Sequence, residues 1–174
     1  MTRAERRRLL EPAVQGPGTW ADLGAGSGAF TEVLAELLGP EGTVYAVDRD
    51  RRALEHIPRP PHGAHVVTLA ADFTGPLELP PLGGILLANS LHYVRDAAVL
   101  LRHLRGLLKP EGVVLVVEYA DRRPSPWVPY PVPPARLGEL AQEAGFEGMR
   151  ELGRVGSSFG GSVYSALLSM VDGR

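Results

Sequence analysis

At 174 residues the chain is long enough to bury one core without cross-links, and 44% hydrophobic against 22% charged residues is a globular composition. A formal net charge of −2 gives no bulk attraction to nucleic acid or an anionic membrane, and the lack of cysteine excludes disulfides, thiolate metal sites and a thiol nucleophile. Apolar runs are no longer than strands and no signal-peptide core opens the chain, so a cytoplasmic protein without a membrane span is expected.

Arg3 to Leu10 predicts a short helix, stopped by Pro12, with its arginines on a solvated face. Residues 1–18 are thus a helix and lead-in, and 1–174 is read as a single domain. Trp20 to Leu23 is a short apolar strand that carries an acid, Asp22, and runs into Gly24-Ala25-Gly26-Ser27-Gly28. From Phe30 the apolar period becomes helical, at Phe30, Val33, Leu34, Leu37 and Leu38, until Gly39-Pro40 stops it. Glycine suits such a turn because the backbone takes positive φ and a ligand can lie against it. The first helical turn then aims unpaired N–H groups at that ligand.

Thr43 to Val47 is a second strand, apolar on both faces like a buried parallel strand, and Asp48 closes it. Asp50 caps a short helix over residues 51–57. His65 to Leu69 is a third strand leading to Asp72-Phe73, and the prolines of residues 74–83 leave no room for a long helix. Ile85 to Ala88 is the fourth strand, running into Asn89-Ser90-Leu91-His92-Tyr93. Asp96 is expected to cap a helix through Leu108, and Val113 to Glu118 is the fifth strand. A proline-rich stretch holding Trp127 and Tyr130 follows, then a helix over residues 137–144 ended by Gly145. Two strands about residues 149–155 and 163–169 finish the chain as an antiparallel addition, with Gly156 to Gly161 between them.

Successive strand ends therefore carry Asp22 with the glycines, Asp48, Asp72-Phe73, and Asn89 with His92. Ligands of an open parallel sheet bind outside those carboxyl ends. Asp48 lies 20 positions after Gly28 (48 − 28), where a carboxylate accepts from both hydroxyls of an adenosine ribose; Arg49 beside it joins the set. Asp72 suits an adenine amino group with Phe73 as the wall of the ring; taken alone, it would fit a turn aspartate ahead of Gly75 nearly as well.

Taken together, these motifs resemble the class I S-adenosylmethionine-dependent methyltransferases, small-molecule branch, over nearly the whole chain. Asp22-x-Gly24-x-Gly26-x-Gly28 is similar to that family's first motif, Asp48 to its ribose acid and Asp72-Phe73 to its adenine motif. Asn89 to Tyr93, and Leu107 to Gly112 ahead of strand five, also look like family sequence. The resemblance implies a doubly wound, mostly parallel seven-stranded α/β sheet of order 3-2-1-4-5-7-6, last strand antiparallel, with helices on both faces. It implies S-adenosylmethionine as cofactor and S-adenosylhomocysteine as product, with Asn89 at the methionine amine. The chain departs from the family in having Gly83-Gly84 where an acid often precedes strand four. Its lead-in is also short, which leaves an acceptor pocket that is open or completed by a second copy in a homo-oligomer.

Methyl transfer is an in-line displacement at an already activated methyl group, so the protein mainly aligns reactants and excludes water. A base is needed only when the acceptor must lose a proton, and His92 is the candidate catalytic residue. Tyr93, Tyr119 and Trp127 are candidates for the wall of a small-molecule acceptor site. The other histidines have no metal-ligand spacing, so no metal is expected. Three alternatives remain at this point. The glycine pattern also fits an NAD(P)-dependent oxidoreductase, although Asp72-Phe73 has no dinucleotide role. A nucleic-acid methyltransferase would tend to carry Pro-Pro and an aromatic after Asn89, and a basic surface. A non-catalytic cofactor-binding module is the third.

Overall fold

Seven segments of the computed structural model, which describes residues 1–158 and 160–170, join into one sheet. They are Thr19–Leu23 (β1), Thr43–Asp48 (β2), His65–Ala70 (β3), Leu82–Ala88 (β4), Leu108–Tyr119 (β5), Gly148–Gly156 (β6) and Ser162–Ser169 (β7). Their order is β3-β2-β1-β4-β5-β7-β6; β1 to β5 run parallel, and β7 is antiparallel to both neighbours. This is the expected sheet. Phe159, in the expected loop between the last two strands, lies outside the described residues.

Among the described residues five α-helices flank the sheet: Arg3–Leu10 (α1), Ala29–Leu38 (α2), Arg51–Leu54 (α3), Ala97–Arg105 (α4) and Pro134–Ala144 (α5). Alternation along the strands divides the core in two. Ile85 and Leu87 of β4 pack with Leu101, Leu104, Leu137 and Leu140 of α4 and α5. Leu86 packs on the other face with Leu9, Leu10, Val33 and Leu34 of α1 and α2. The central strands are thus buried on both faces, as a parallel sheet wrapped by helices must be. Among the described residues no helix is long and apolar enough to cross a membrane.

The structure moves several boundaries. The helix expected to run through Leu108 ends at Arg105, and Asp96 makes no side-chain cap. β5 starts at Leu108 instead of Val113, because Leu82 pairs with Leu108 and a register shift absorbs the residues up to Val113. The short helix after Asp50 ends at Leu54, although Asp50 does cap it, accepting from the Arg52 and Ala53 N–H groups. α1 does not keep all its arginines in solvent: Arg3 pairs with Glu36 and Arg7 with Glu11, but Arg6 is half-buried.

Gly84, though not Gly83, also gains a reason. A Cβ on Gly84 would lie 2.3 Å from Cε2 of Trp20, its neighbour across β1 and β4. The indole occupies the space above Gly84.

Candidate functional site

The loop between β1 and α2 is stitched to the neighbouring strand end from its first residue. The N–H groups of Gly24 and Ala25 both donate to Val47 O, at 2.8 and 3.1 Å. Gly24 has φ +82, and a Cβ there would sit 2.7 Å from Ser90 Cβ and 3.3 Å from Phe73 Cε1. Gly28 caps α2 at φ +85, and its Cβ would meet Pro58 Cδ at 2.9 Å. The first position brings the ends of β1, β3 and β4 together; the second lets α2 pack closely.

Asp48 ties this loop to β2. Its Oδ2 accepts the Gly26 N–H at 2.8 Å and its Oδ1 the Asp50 N–H at 2.9 Å. A carboxylate has about four acceptor positions, so roughly half remain for a ligand. Asp22 is only 1% exposed and accepts from Thr31 Oγ1 at 2.6 Å. Burial pushes its carboxyl up to about 6; the Thr31 hydrogen bond acts the other way, and the charge of Asp48 adds to the rise.

A cavity of about 440 Å³ opens over these strand ends. Gly24, Asp48, Arg49, Asp72, Phe73 and Asn89 line it, with Tyr93 and the unforeseen Ser90. Its volume falls in the range of small-molecule sites, ~300–1,000 Å³. Asp72 also makes the turn that the alternative reading foresaw: its Oδ1 accepts from the N–H and hydroxyl of Thr74, which holds the carboxyl below its ordinary range. Asn89 takes φ +53, the one positive φ outside glycine among the described residues. Its Oδ1 and the Ser90 Oγ are buried without a hydrogen-bond partner.

Other expected site residues lie elsewhere. Asp22, Gly26 and Gly28 do not line the cavity; they shape the loop beneath it. His92 is 2% exposed, and its Nδ1 lies 2.8 Å from Oε2 of Glu118, a residue 1% exposed at the end of β5. Glu118 went unrecognised in the sequence, where its signal was an acid closing the all-apolar run of β5. Trp127 is 80% exposed and lines neither cavity described here. Tyr119 lines a second chamber of about 220 Å³ with Met1, Arg6, Phe30, Ser158 and again Asn89.

Over residues 21–114, from β1 into β5, the sequence matches the family described as the methyltransferase domain. The chain belongs to that family. No curated protein matches the sequence. Solved structures similar to the chain include a SAM dependent methyltransferase from Aquifex aeolicus, with 17% identity, 98% of this chain and 100% of that one covered, and a TM-score of 0.70. A Burkholderia thailandensis 1,6-didemethyltoxoflavin-N1-methyltransferase is similar at 21% identity, covering 96% and 78%, with a TM-score of 0.67. Human N-acetylserotonin methyltransferase gives 21% identity and a TM-score of 0.68; this chain, 95% covered, spans 51% of its length. The methyltransferase thus shares its fold with S-adenosylmethionine-dependent enzymes, some of them much longer.

Proposed function

We propose that this methyltransferase transfers the methyl group of S-adenosylmethionine to a small-molecule acceptor. The observation that carries the reading is the cavity over the ends of β1 to β4, where ligand-binding groups from each strand end meet. Its residues fit the cofactor. Asp48 has acceptor capacity left for ribose hydroxyls, Phe73 offers a flat apolar wall and Asp72 a carboxylate beside it. Asn89 Oδ1 and Ser90 Oγ are buried and unpartnered, a costly state that a polar ligand would relieve. When bound, S-adenosylmethionine supplies an activated methyl on a sulfonium centre; the chain's own residues orient it and keep water out.

A small acceptor is supported by the Burkholderia structure, which holds 1,6-didemethyltoxoflavin and S-adenosylhomocysteine, and by the human enzyme named for N-acetylserotonin. His92, the expected base, is sealed from solvent and lines neither cavity, so its pairing with Glu118 belongs to this reading as the brace that holds the turn after β4 against the end of β5. The exposed Tyr93 leaves a rim of the cavity that a second copy would complete; Trp127 is exposed but lines neither cavity.

Calorimetric titration with S-adenosylhomocysteine, with NAD as control, tests the cofactor. Micromolar binding of the first ligand alone is expected. Binding of NAD instead would turn the protein into an oxidoreductase candidate.

A further inference from the structure

We propose that the second chamber is the acceptor subsite and that Arg6 binds a carboxylate carried by the acceptor; this rests on the methyltransferase reading above. The chamber lies between α1, the start of α2, the end of β5 and the turn after β6. It shares Asn89 with the larger cavity, which places the two chambers on either side of that residue.

Arg6 faces inward for a reason visible in the helix. It precedes Leu9 and Leu10 by three and four positions, and both leucines are fully buried. The Thr2–Glu5 capping box fixes where that helix begins, and hence which face turns in. Arg6 Nη1 donates to Met1 O at 2.9 Å, while its Nε is buried with no partner. Arg3, Arg7, Arg136 and Arg154 each pair with a glutamate, but among the described residues no carboxylate pairs with Arg6. A guanidinium with a buried, unpaired edge favours an incoming anion, and its planar fork matches a carboxylate.

The chamber also narrows the choice of anion. Arg6 is the one charged side chain among the described residues lining it, and the Met1 ammonium, which donates to Ser158 Oγ at 3.4 Å, adds a second positive charge, so the chamber suits an anion and the planar fork of Arg6 selects a carboxylate. Phe30 and Tyr119 supply apolar walls. The volume is below the ~300 Å³ lower bound of drug-sized sites, so the acceptor is compact. The ligand class is a small, flat carboxylic acid.

The test titrates benzoate, benzamide and inorganic phosphate into the full chain, with and without S-adenosylhomocysteine, for the wild type, Arg6→Gln and Arg6→Lys. Benzoate should bind the wild type, with benzamide and phosphate about tenfold weaker or worse. Arg6→Gln should weaken benzoate by about tenfold, Arg6→Lys by less, and both should leave S-adenosylhomocysteine affinity within about twofold. Thermal unfolding of the variants checks that they fold. No benzoate binding, equal binding of benzamide, or an unchanged Arg6→Gln titration would overturn the subsite. Preferred binding of phosphate would replace the carboxylate with a phosphate ester and overturn the stated ligand class. If S-adenosylhomocysteine fails to bind while benzoate still depends on Arg6, the cofactor reading falls and the anion site stands.

Discussion

One carboxylate holds both the ring and the backbone of His92: Glu118 Oε2 lies 2.8 Å from Nδ1, and Oε1 accepts the His92 N–H at 3.1 Å. Both side chains are sealed from solvent, so nothing else can replace these bonds. Glu118→Ala should lower stability by about 2–5 kcal/mol, because two buried donors lose their acceptor together. Glu118→Gln, which keeps an acceptor oxygen, should lose less. Urea unfolding checks this; equal midpoints for Glu118→Ala and the wild type would leave the pair without structural weight.

Asp48 joins loop to strand and, in the proposed function, protein to ribose. Asp48→Ala should weaken S-adenosylhomocysteine by about tenfold or more, the loss expected for hydrogen bonds to a charged group. Part of that loss comes from freeing the Gly26 N–H, which Asp48→Asn can still satisfy through its amide oxygen. Calorimetry on both variants separates the two roles. Asp48→Asn at wild-type affinity would restrict the residue to holding the loop.

Asp22 gives stability a pH dependence of unusual sign. Burial raises its carboxyl from an ordinary 3.8 to about 6, so between those values the folded protein keeps a proton that the unfolded chain has released. This group's contribution is therefore most favourable below about pH 4 and declines as pH rises, losing about 3 kcal/mol in all once above about pH 6. Asp22→Asn removes the dependence and keeps an oxygen for the Thr31 hydroxyl. Between about pH 5 and about pH 7.5 the variant should gain about 1–2 kcal/mol on the wild type. Parallel pH profiles of unfolding free energy would sink the assignment.

The glycine run and the acids at the ends of β1, β2 and β3 were legible because each is a local pattern tied to one edge of a parallel sheet; the strand order came only with the family resemblance that those patterns carry. What stayed hidden depends on register. Glu118 meets His92 only because Ala88 pairs with Val117 and the Asn89 N–H donates to Val117 O, and no spacing in the chain specifies that. The start of β5 was hidden because Lys109-Pro110 reads as a helix stop, whereas pairing of Leu82 with Leu108 carries it into the sheet. Arg6 was legible in principle: its spacing to Leu9 and Leu10 puts it on the buried face, but a run of arginines reads first as solvated.

Trp20 and Gly84 supply a test remote from the cavity. Gly84 lies near the start of β4, whereas the cavity opens over the strands' carboxyl ends. A Cβ at Gly84 would lie 2.3 Å from the Trp20 ring, and that ring is itself buried. Gly84→Ala should therefore cost about 1–3 kcal/mol through overpacking, with S-adenosylhomocysteine affinity unchanged. The smaller ring of Trp20→Phe, combined with Gly84→Ala, should recover part of the loss, since the two residues compete for one space. Additive losses in that double variant would mean that the indole moves aside freely, and that glycine at this position has another cause.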